Sequence, residues 1–202
     1  MLPTIAVAYV NSIPDETFTD FRRLVEVKGL ELRVESRDAD GPFAGIEWLI
    51  PTAVMVFISK AYFETFLKEI GKDHYAMLKA GLKSLYAKLL GPDAPKVIVV
   101  STAGKATTGQ QYSMYYSLLA EGVNVRFKLL FRQSATAQEY EATIAAFLSF
   151  LDAYHAGCLA PDVVAELEGA RVVGKTLLLA FNPLLDRVQP VDPLAGKGRV
   201  GD

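Results

Sequence analysis

The sequence predicts an α/β fold of the flavodoxin-like type, an open and mostly parallel five-stranded sheet with helices on both faces. Short apolar runs alternate along the chain with longer segments whose apolar residues recur at helical spacing. Strands that are joined through helices pair in parallel by right-handed crossovers, which favours such a sheet. With 202 residues and 51% hydrophobic content, the chain can bury a core of ordinary size.

The first half of the chain supplies three predicted strands and one helix. The first strand is the apolar run Ile5–Val10, and a helix follows over Asp15–Gly29. Leu30–Glu35 alternates apolar with charged residues, which is typical of an edge strand. Ala53–Ile58 is the most apolar strand, so we expect it at the centre of the sheet.

The second half continues the alternation of helices and strands. Residues 62–89 carry two helical stripes, and Val97–Val100 is a short buried strand. The order of elements makes Tyr112–Ala120 a helix, and Val123–Phe131 alternates as a fifth strand. Gln138–Tyr154 has apolar residues along one face, which predicts a long packed helix.

The last part of the chain fits this alternation less well. We therefore predict an α/β domain over residues 1–157 and a C-terminal extension over residues 158–202. The extension is expected to hold a short helix at Pro161–Leu167 and a strand at Val172–Phe181. From Asn182 onward, frequent prolines and glycines predict an irregular tail outside the core.

Charge and composition exclude several classes of function. The net charge is −2, the pI is about 5.8, and the 21 Lys and Arg residues form no basic run. Neither a nucleic-acid groove nor an anionic membrane surface is suggested. No apolar run reaches the roughly 18 residues of a membrane span, and the N-terminus lacks the pattern of a signal peptide. The single cysteine, Cys158, fits a reducing compartment, so we expect a cytoplasmic protein.

Two loop patterns are compatible with phosphate or anion binding, and both have simpler interpretations. Gly169–Thr176 matches the phosphate-binding loop pattern, but a helix-like run precedes it and a strand-like run follows. That is the reverse of the required context, so we interpret it as a turn leading into a strand. Ser101–Gly109 is a small-residue loop in which Lys105 could meet an anion, and we favour an ordinary connection.

The histidines and the cysteine are poor material for a metal site. His74 and His155 are the two histidines, and no spacing typical of zinc ligands joins them to Cys158. We predict no metal site. His74 is interpreted as a hydrogen-bonding helix residue.

The segment Ala53–Tyr75 contains the best candidate for a functional site. Its strand runs through Ser59 into a helix on which Glu69 and Asp73, four residues apart, share a face. Open α/β proteins bind ligands at the carboxyl ends of their strands. A carboxylate at such an end can act as a general base or stabilise a cationic transition state, which makes Glu69 the candidate catalytic residue. The alternative is an ordinary solvated helix face.

Several short motifs follow one another in a recognisable order: the first strand IAVAYV, the second strand ending in Arg37-Asp38, the Gly41-Pro42 loop, and VMVFIS followed by SKAYF. Through these motifs, residues 5–154 resemble a divergent Toll/interleukin-1 receptor (TIR) domain. In that family, the loop after the second strand governs association and covers the ligand site. A glutamate on the helix after the third strand cleaves the nicotinamide–ribose bond of NAD. By position this is Glu69, with a shorter gap from Ser59 and with Phe66-Leu67 where the family often has tryptophan-cysteine.

The resemblance implies an NAD glycohydrolase in a signalling or defence role, with NAD as substrate and no resident cofactor. Asn11, Ser12 and Ser59 would then supply polar contacts to NAD. Phe43 or Trp48 would stack on one of its rings. Because a neighbouring copy must hold the loop, activity is expected to depend on self-association.

Two alternatives from other classes stay open. In the first, the chain is a non-catalytic protein–protein interaction module that binds its partner through residues 37–50, with Trp48 as an anchor. In the second, the chain is a flavodoxin-like binder of a nucleotide or flavin that uses the loop at Ser101–Gly109.

Overall fold

The computed structural model describes residues 3–38, 52–70, 73–91 and 111–192. These residues form one seven-stranded sheet with the strand order β2-β1-β3-β4-β5-β6-β7. The strands are β1 (Ile5–Val10), β2 (Leu32–Arg37), β3 (Val54–Ile58), β4 (Tyr112–Glu121), β5 (Arg126–Arg132), β6 (Thr176–Asn182) and β7 (Arg187–Pro190). The predicted α/β class, the edge position of the second strand and the interior position of the third are confirmed.

The sheet is mixed, which corrects the prediction of a mostly parallel five-stranded sheet. β1 pairs in parallel with β2 but antiparallel with β3. β3 and β4 are parallel, β4 and β5 antiparallel, β5 and β6 parallel, and β6 and β7 antiparallel. Short turns join β4 to β5 and β6 to β7, and a tight turn leaves no room for the crossover that parallel pairing needs.

The predicted helix at Tyr112–Ala120 is wrong, because this segment is strand β4. Tyr116, Leu118 and Ala120 are buried in the main core, while the residues between them point to the other face. Most of the strand is apolar on both faces, so the period of two that identifies a strand is hidden. Gly122 follows it, where an added Cβ would lie 2.8 Å from the Phe127 ring, so the turn into β5 needs a glycine.

Five α-helices in the described part of the chain accompany the sheet: α1 (Thr19–Val25), α2 (Leu67–Ile70), α3 (Asp73–Leu90), α4 (Ala137–His155) and α5 (Pro161–Gly169). A 3-10 turn, Asp15–Phe18, precedes α1, and a π-helical turn, Tyr62–Phe66, precedes α2. The longest helix, α4, starts at a capping box. There the Thr136 hydroxyl accepts from the Glu139 N–H, and the Glu139 carboxylate accepts from the Thr136 N–H.

The main core lies between one face of the sheet and the helices α1, α3 and α4. Phe21 of α1, Leu82 of α3 and Phe147 of α4 belong to the same buried cluster as Val56 and Leu129 of the sheet. The sequence predicted helices on both faces, whereas these helices share one. A smaller cluster on the opposite face holds Tyr112, Leu130, Leu178 and Ala180.

The C-terminal residues extend the same sheet. The predicted short helix is confirmed as α5, and β6 pairs with β5 of the preceding segment. The prediction of an irregular tail from Asn182 is wrong as far as β7 is concerned. Val188 of β7 is 4% exposed and packs in the main core, because alternate strand residues reach the layer below α4. The predicted strand Val97–Val100 and the loop Ser101–Gly109 lie outside the described residues.

Candidate functional site

Polar side chains gather at two opposite ends of the sheet. β1 and β2 run in the same direction, and their carboxyl ends define the β1/β2 end. β3 runs against β1 and parallel to β4, so the carboxyl ends of β3 and β4 lie at the other side and define the β3/β4 end. In open α/β sheets, the carboxyl ends of strands are the usual places for ligands.

The structure divides the predicted site residues between these two ends. Asn11 and Ser12 follow β1 and lie at the β1/β2 end. Ser59 follows β3, and its N–H donates to the carbonyl of Thr4, just before β1 begins. The antiparallel pairing of β1 with β3 therefore separates groups that a parallel sheet would bring together. Phe43 and Trp48 lie outside the described residues.

Glu69 lies on the short helix α2 with its side chain exposed. Among the described residues it has no hydrogen bond or ion pair. No contact among the described residues joins it to Asn11, Ser12 or Ser59. The structure leaves its catalytic role a prediction.

At the β1/β2 end, a carboxylate is fixed by three donors. Asp15 accepts from the Tyr9 hydroxyl over 2.6 Å and from both terminal nitrogens of Arg22 over 2.8 Å. The bonds from Arg22, and then that from Tyr9, lower the pKa of Asp15 to about 2. The same carboxylate raises the pKa of Tyr9. These groups satisfy one another, as is typical of a structural cluster.

A hydrogen-bonded clamp at the same end joins β1, β2 and the start of β3. The Arg37 Nη2 donates to the Thr52 carbonyl over 2.7 Å, and the Asn11 Nδ2 donates to Asp38 Oδ1 over 3.0 Å. The backbone N–H of Asn11 also donates to the Arg37 carbonyl over 2.9 Å. Asp38 and Thr52, the described residues on either side of residues 39–51, are therefore both held at this end of the sheet.

Below the clamp, two buried hydroxyls form a pair with a defined direction. Thr52 and Ser117 are 1% and 0% exposed, and their oxygens lie 2.6 Å apart. The Thr52 hydroxyl donates its proton to the Val54 carbonyl over 2.8 Å. Ser117 must then be the donor to Thr52, since each hydroxyl has one proton.

At the β3/β4 end, several polar atoms have no partner. The Ser59 hydroxyl is buried and lacks a hydrogen bond among the described residues. Two hydrogen bonds are formed at the same end of the sheet. The Lys60 N–H donates to Glu121 Oε2 over 3.1 Å, and the Val123 N–H donates to the Tyr154 hydroxyl over 3.2 Å. These contacts bring the end of α4 to the ends of β3 and β4.

His155, the last residue of α4, is the most unusual group at this end. Only 3% of its side-chain surface is exposed, yet neither ring nitrogen has a hydrogen-bond partner in the described part of the chain. Its ring stacks on Phe63 with centroids 5.2 Å apart and planes 8° apart, and the Tyr154 ring meets it edge-on. Glu64 Oε1 lies 3.5 Å from its Nδ1. A buried imidazole without partners requires an explanation.

His74 is buried as deeply and is fully paired. Its Nε2 lies 2.8 Å from the Val25 carbonyl and must carry the proton, because a carbonyl can only accept. Its Nδ1 then accepts from the Tyr62 hydroxyl over 3.1 Å. The prediction of a hydrogen-bonding helix residue is confirmed, and burial raises the pKa of Tyr62.

The phosphate-loop pattern and the possibility of a metal site can both be compared with the structure. The Gly169–Thr176 pattern lies on the end of α5 and a turn closed by the Val173–Thr176 bridge, with Gly174 and Lys175 at φ 58° and 61°. Our interpretation as a turn into a strand is confirmed. Across the described ranges, no group of three or more His, Cys, Asp or Glu side chains could hold a metal ion.

Sequence reasoning passed over Glu64 and His155 as a pair. They are far apart along the chain and meet only because α4 ends beside the π-helical turn. Lys128 was also missed: it is 3% exposed between Leu119 and Leu178 of the neighbouring strands, and burial lowers its pKa to about 8. A charged residue inside an apolar strand was the available signal.

No helix in the described part of the chain has both the length and the apolar character that crossing a membrane requires. No protein-family model matches the chain, and no curated protein or solved structure is significantly similar to it.

Proposed function

We propose that the protein is a non-catalytic interaction module that self-associates through residues 37–50. The observation that carries this proposal is the clamp at the two described ends of that segment. Arg37 donates to the carbonyl of Thr52, and Asn11 bonds to both Arg37 and Asp38. A connection of this length between two strands is more often functional than a minimal turn is. Fixed ends lower the conformational entropy that is lost on binding.

The composition of the segment suits an interface. It contains Phe43 and the single tryptophan of the chain, Trp48, among small and acidic residues. Aromatic side chains dominate the binding energy of protein interfaces because they bury much area with few rotatable bonds. A second copy of the chain is the partner that the TIR resemblance also implies.

Sedimentation equilibrium over a range of protein concentrations tests the proposal. We expect a reversible dimer or larger assembly, and Trp48→Ala should weaken association by at least about tenfold, the usual cost of losing an interface anchor. Leu184→Ala is the matched control, because Leu184 is 92% exposed at the β6–β7 turn. A chain that stays monomeric, or equal effects of the two substitutions, would overturn the proposal.

Two neighbouring substitutions test the clamp itself. Asn11→Ala removes the bond to Asp38, whereas Ser12→Ala removes an exposed hydroxyl that has no such bond in the described part of the chain. Association should weaken about threefold in the first variant, as expected for one modest hydrogen bond, and stay unchanged in the second. Equal association constants would show that the clamp does not prepare the surface.

NAD cleavage by Glu69 is the alternative, and it has less support because Asn11 and Ser12 lie at the opposite end of the sheet from Ser59. NAD loss and nicotinamide release are measured at high protein concentration for the wild type and Glu69→Ala. We expect no turnover by either protein. Turnover that Glu69→Ala abolishes would replace our proposal with the enzyme hypothesis. Turnover that survives would keep the enzyme and reject the residue.

A further inference from the structure

We propose that the β3/β4 end binds a small organic cation with N–H donors, such as a protonated amine. The Glu64 carboxylate and the His155 imidazole are the acceptors, and the Phe63 and Tyr154 rings are the walls. This site is independent of the proposed self-association segment, whose described flanking residues Asp38 and Thr52 lie at the β1/β2 end.

The first step is the unpaired state of the acceptors. Glu64 Oε1 and His155 Nδ1 lie 3.5 Å apart, farther than the roughly 2.7–2.9 Å of a charge-assisted hydrogen bond. Both His155 nitrogens are buried and lack partners among the described residues. One N–H donor group can reach two acceptors at this separation. Such a ligand would supply a bond to His155 Nδ1, which accepts when the imidazole proton is on Nε2.

The second step is the sign of the local charge. Glu64 has 42% of its side-chain surface exposed, so a ligand can reach it from solvent. Across the described ranges, no Lys or Arg forms an ion pair with Glu64. His155 is the last residue of α4, where the helix dipole places partial negative charge. The Glu121 carboxylate, held by the Lys60 N–H, adds a second negative charge at the same end.

The third step is how the neighbouring groups are positioned. The Phe63 ring lies parallel to the imidazole, and Tyr154 holds its position through the Val123 N–H. The π-helical turn Tyr62–Phe66 places Phe63 and Glu64, and single π-helical turns are frequent at functional sites.

The histidines give the test an internal reference, since the chain has only two. The probe is n-butylammonium chloride, an alkylammonium ion that stays protonated at about pH 8. The readout is the pair of imidazole ¹H–¹⁵N signals of labelled full-length protein. We expect a saturable shift of the His155 signals and none of the His74 signals, because both His74 nitrogens are occupied. Tetramethylammonium chloride at equal ionic strength has no N–H donor and should leave both histidines unchanged.

Glu64→Gln provides the decisive variant, because Glu64 lies at the surface and its substitution should not unfold the chain. We expect binding of n-butylammonium to weaken by at least about tenfold when the charged acceptor is lost. Glu69→Gln is the matched control, an exposed acid on the next helix. A shift that does not saturate, equal binding by wild type and Glu64→Gln, or equal shifts with tetramethylammonium would overturn the proposal.

Discussion

The two histidines of this chain both contact one π-helical turn, and they differ in their hydrogen bonding. His74 contacts Tyr62 and Phe66 of the turn, and His155 contacts Phe63 and Glu64. Both side chains are almost completely buried. His74 makes two hydrogen bonds, whereas His155 makes none in the described part of the chain.

This difference in hydrogen bonding suggests different roles: the His74 imidazole is used within the fold, whereas the His155 imidazole is free to bind a ligand. His74 accepts the Tyr62 proton and donates to the Val25 carbonyl, which is one of the four carbonyls that α1 leaves without an intrahelical partner. It therefore ties the end of α1 to the π-helical turn. The His155 imidazole makes no hydrogen bond in the described part of the chain and is held by its contacts with the Phe63 and Tyr154 rings.

The largest expected effect comes from replacing each histidine by phenylalanine, which keeps a ring in place. His74→Phe leaves the Val25 carbonyl and the Tyr62 hydroxyl without partners, which should lower the free energy of unfolding by about 3 kcal/mol. His155→Phe keeps the stack on Phe63 and should change it by less than about 1 kcal/mol.

Urea unfolding monitored by circular dichroism measures both changes. If His155→Phe destabilises the chain as much as His74→Phe does, the imidazole nitrogens of His155 have partners in solution. The contrast between the two sides of the turn would then be lost.

The same contrast between paired and unpaired groups applies to two buried hydroxyls. Thr52→Val removes the donor to the Val54 carbonyl and the acceptor for Ser117, which should cost about 2 kcal/mol. Ser59→Ala removes a hydroxyl that has no bond among the described residues, so the change should stay within about 0.5 kcal/mol. Differential scanning calorimetry compares the variants, and equal losses of stability would show that Ser59 is bonded in the native protein.

The strands with one clear pattern were predictable from the sequence, and their directions were not. Ile5–Val10 matches β1 residue for residue, because a short apolar run and the turn residues after it are local signals. The sequence does not identify β4 as a strand, because β4 is apolar on both faces. A helix at this position would join its neighbouring strands by a crossover, and so the sequence predicts parallel strands here. Pairing direction depends on how the whole chain connects, which no local pattern records.

The candidate site was less predictable for the same reason. Ser59 was identified correctly as the residue at the end of a central strand, but its neighbours depend on the direction of β1. The contact of Glu64 with His155 joins segments far apart in sequence, and single-sequence spacing carries no information about it. The sequence does show that the chain has only two histidines, so each can be considered individually as a candidate site residue.

The smallest expected effect concerns the paired carboxylate Asp15. Its pKa is lowered from 3.8 to about 2 in the folded chain, chiefly by Arg22 and then by Tyr9. The folded state therefore gains stability above about pH 4, and this gain is lost as the pH falls toward 2. Because 57% of the Asp15 side chain is exposed, solvent should keep the gain below about 1 kcal/mol.

Asp15→Asn should therefore flatten the loss of stability between about pH 4 and pH 2, as measured by urea unfolding across that range. Glu69→Gln controls for the removal of one exposed negative charge, since Glu69 has no partner in the described part of the chain. An equal flattening in both variants would show that net charge sets the acid response. A response specific to Asp15 would show that its hydrogen bonds persist in solution. Hydrogen bonding, more than burial, would then distinguish the polar side chains that stabilise the fold from those that are free to bind a ligand.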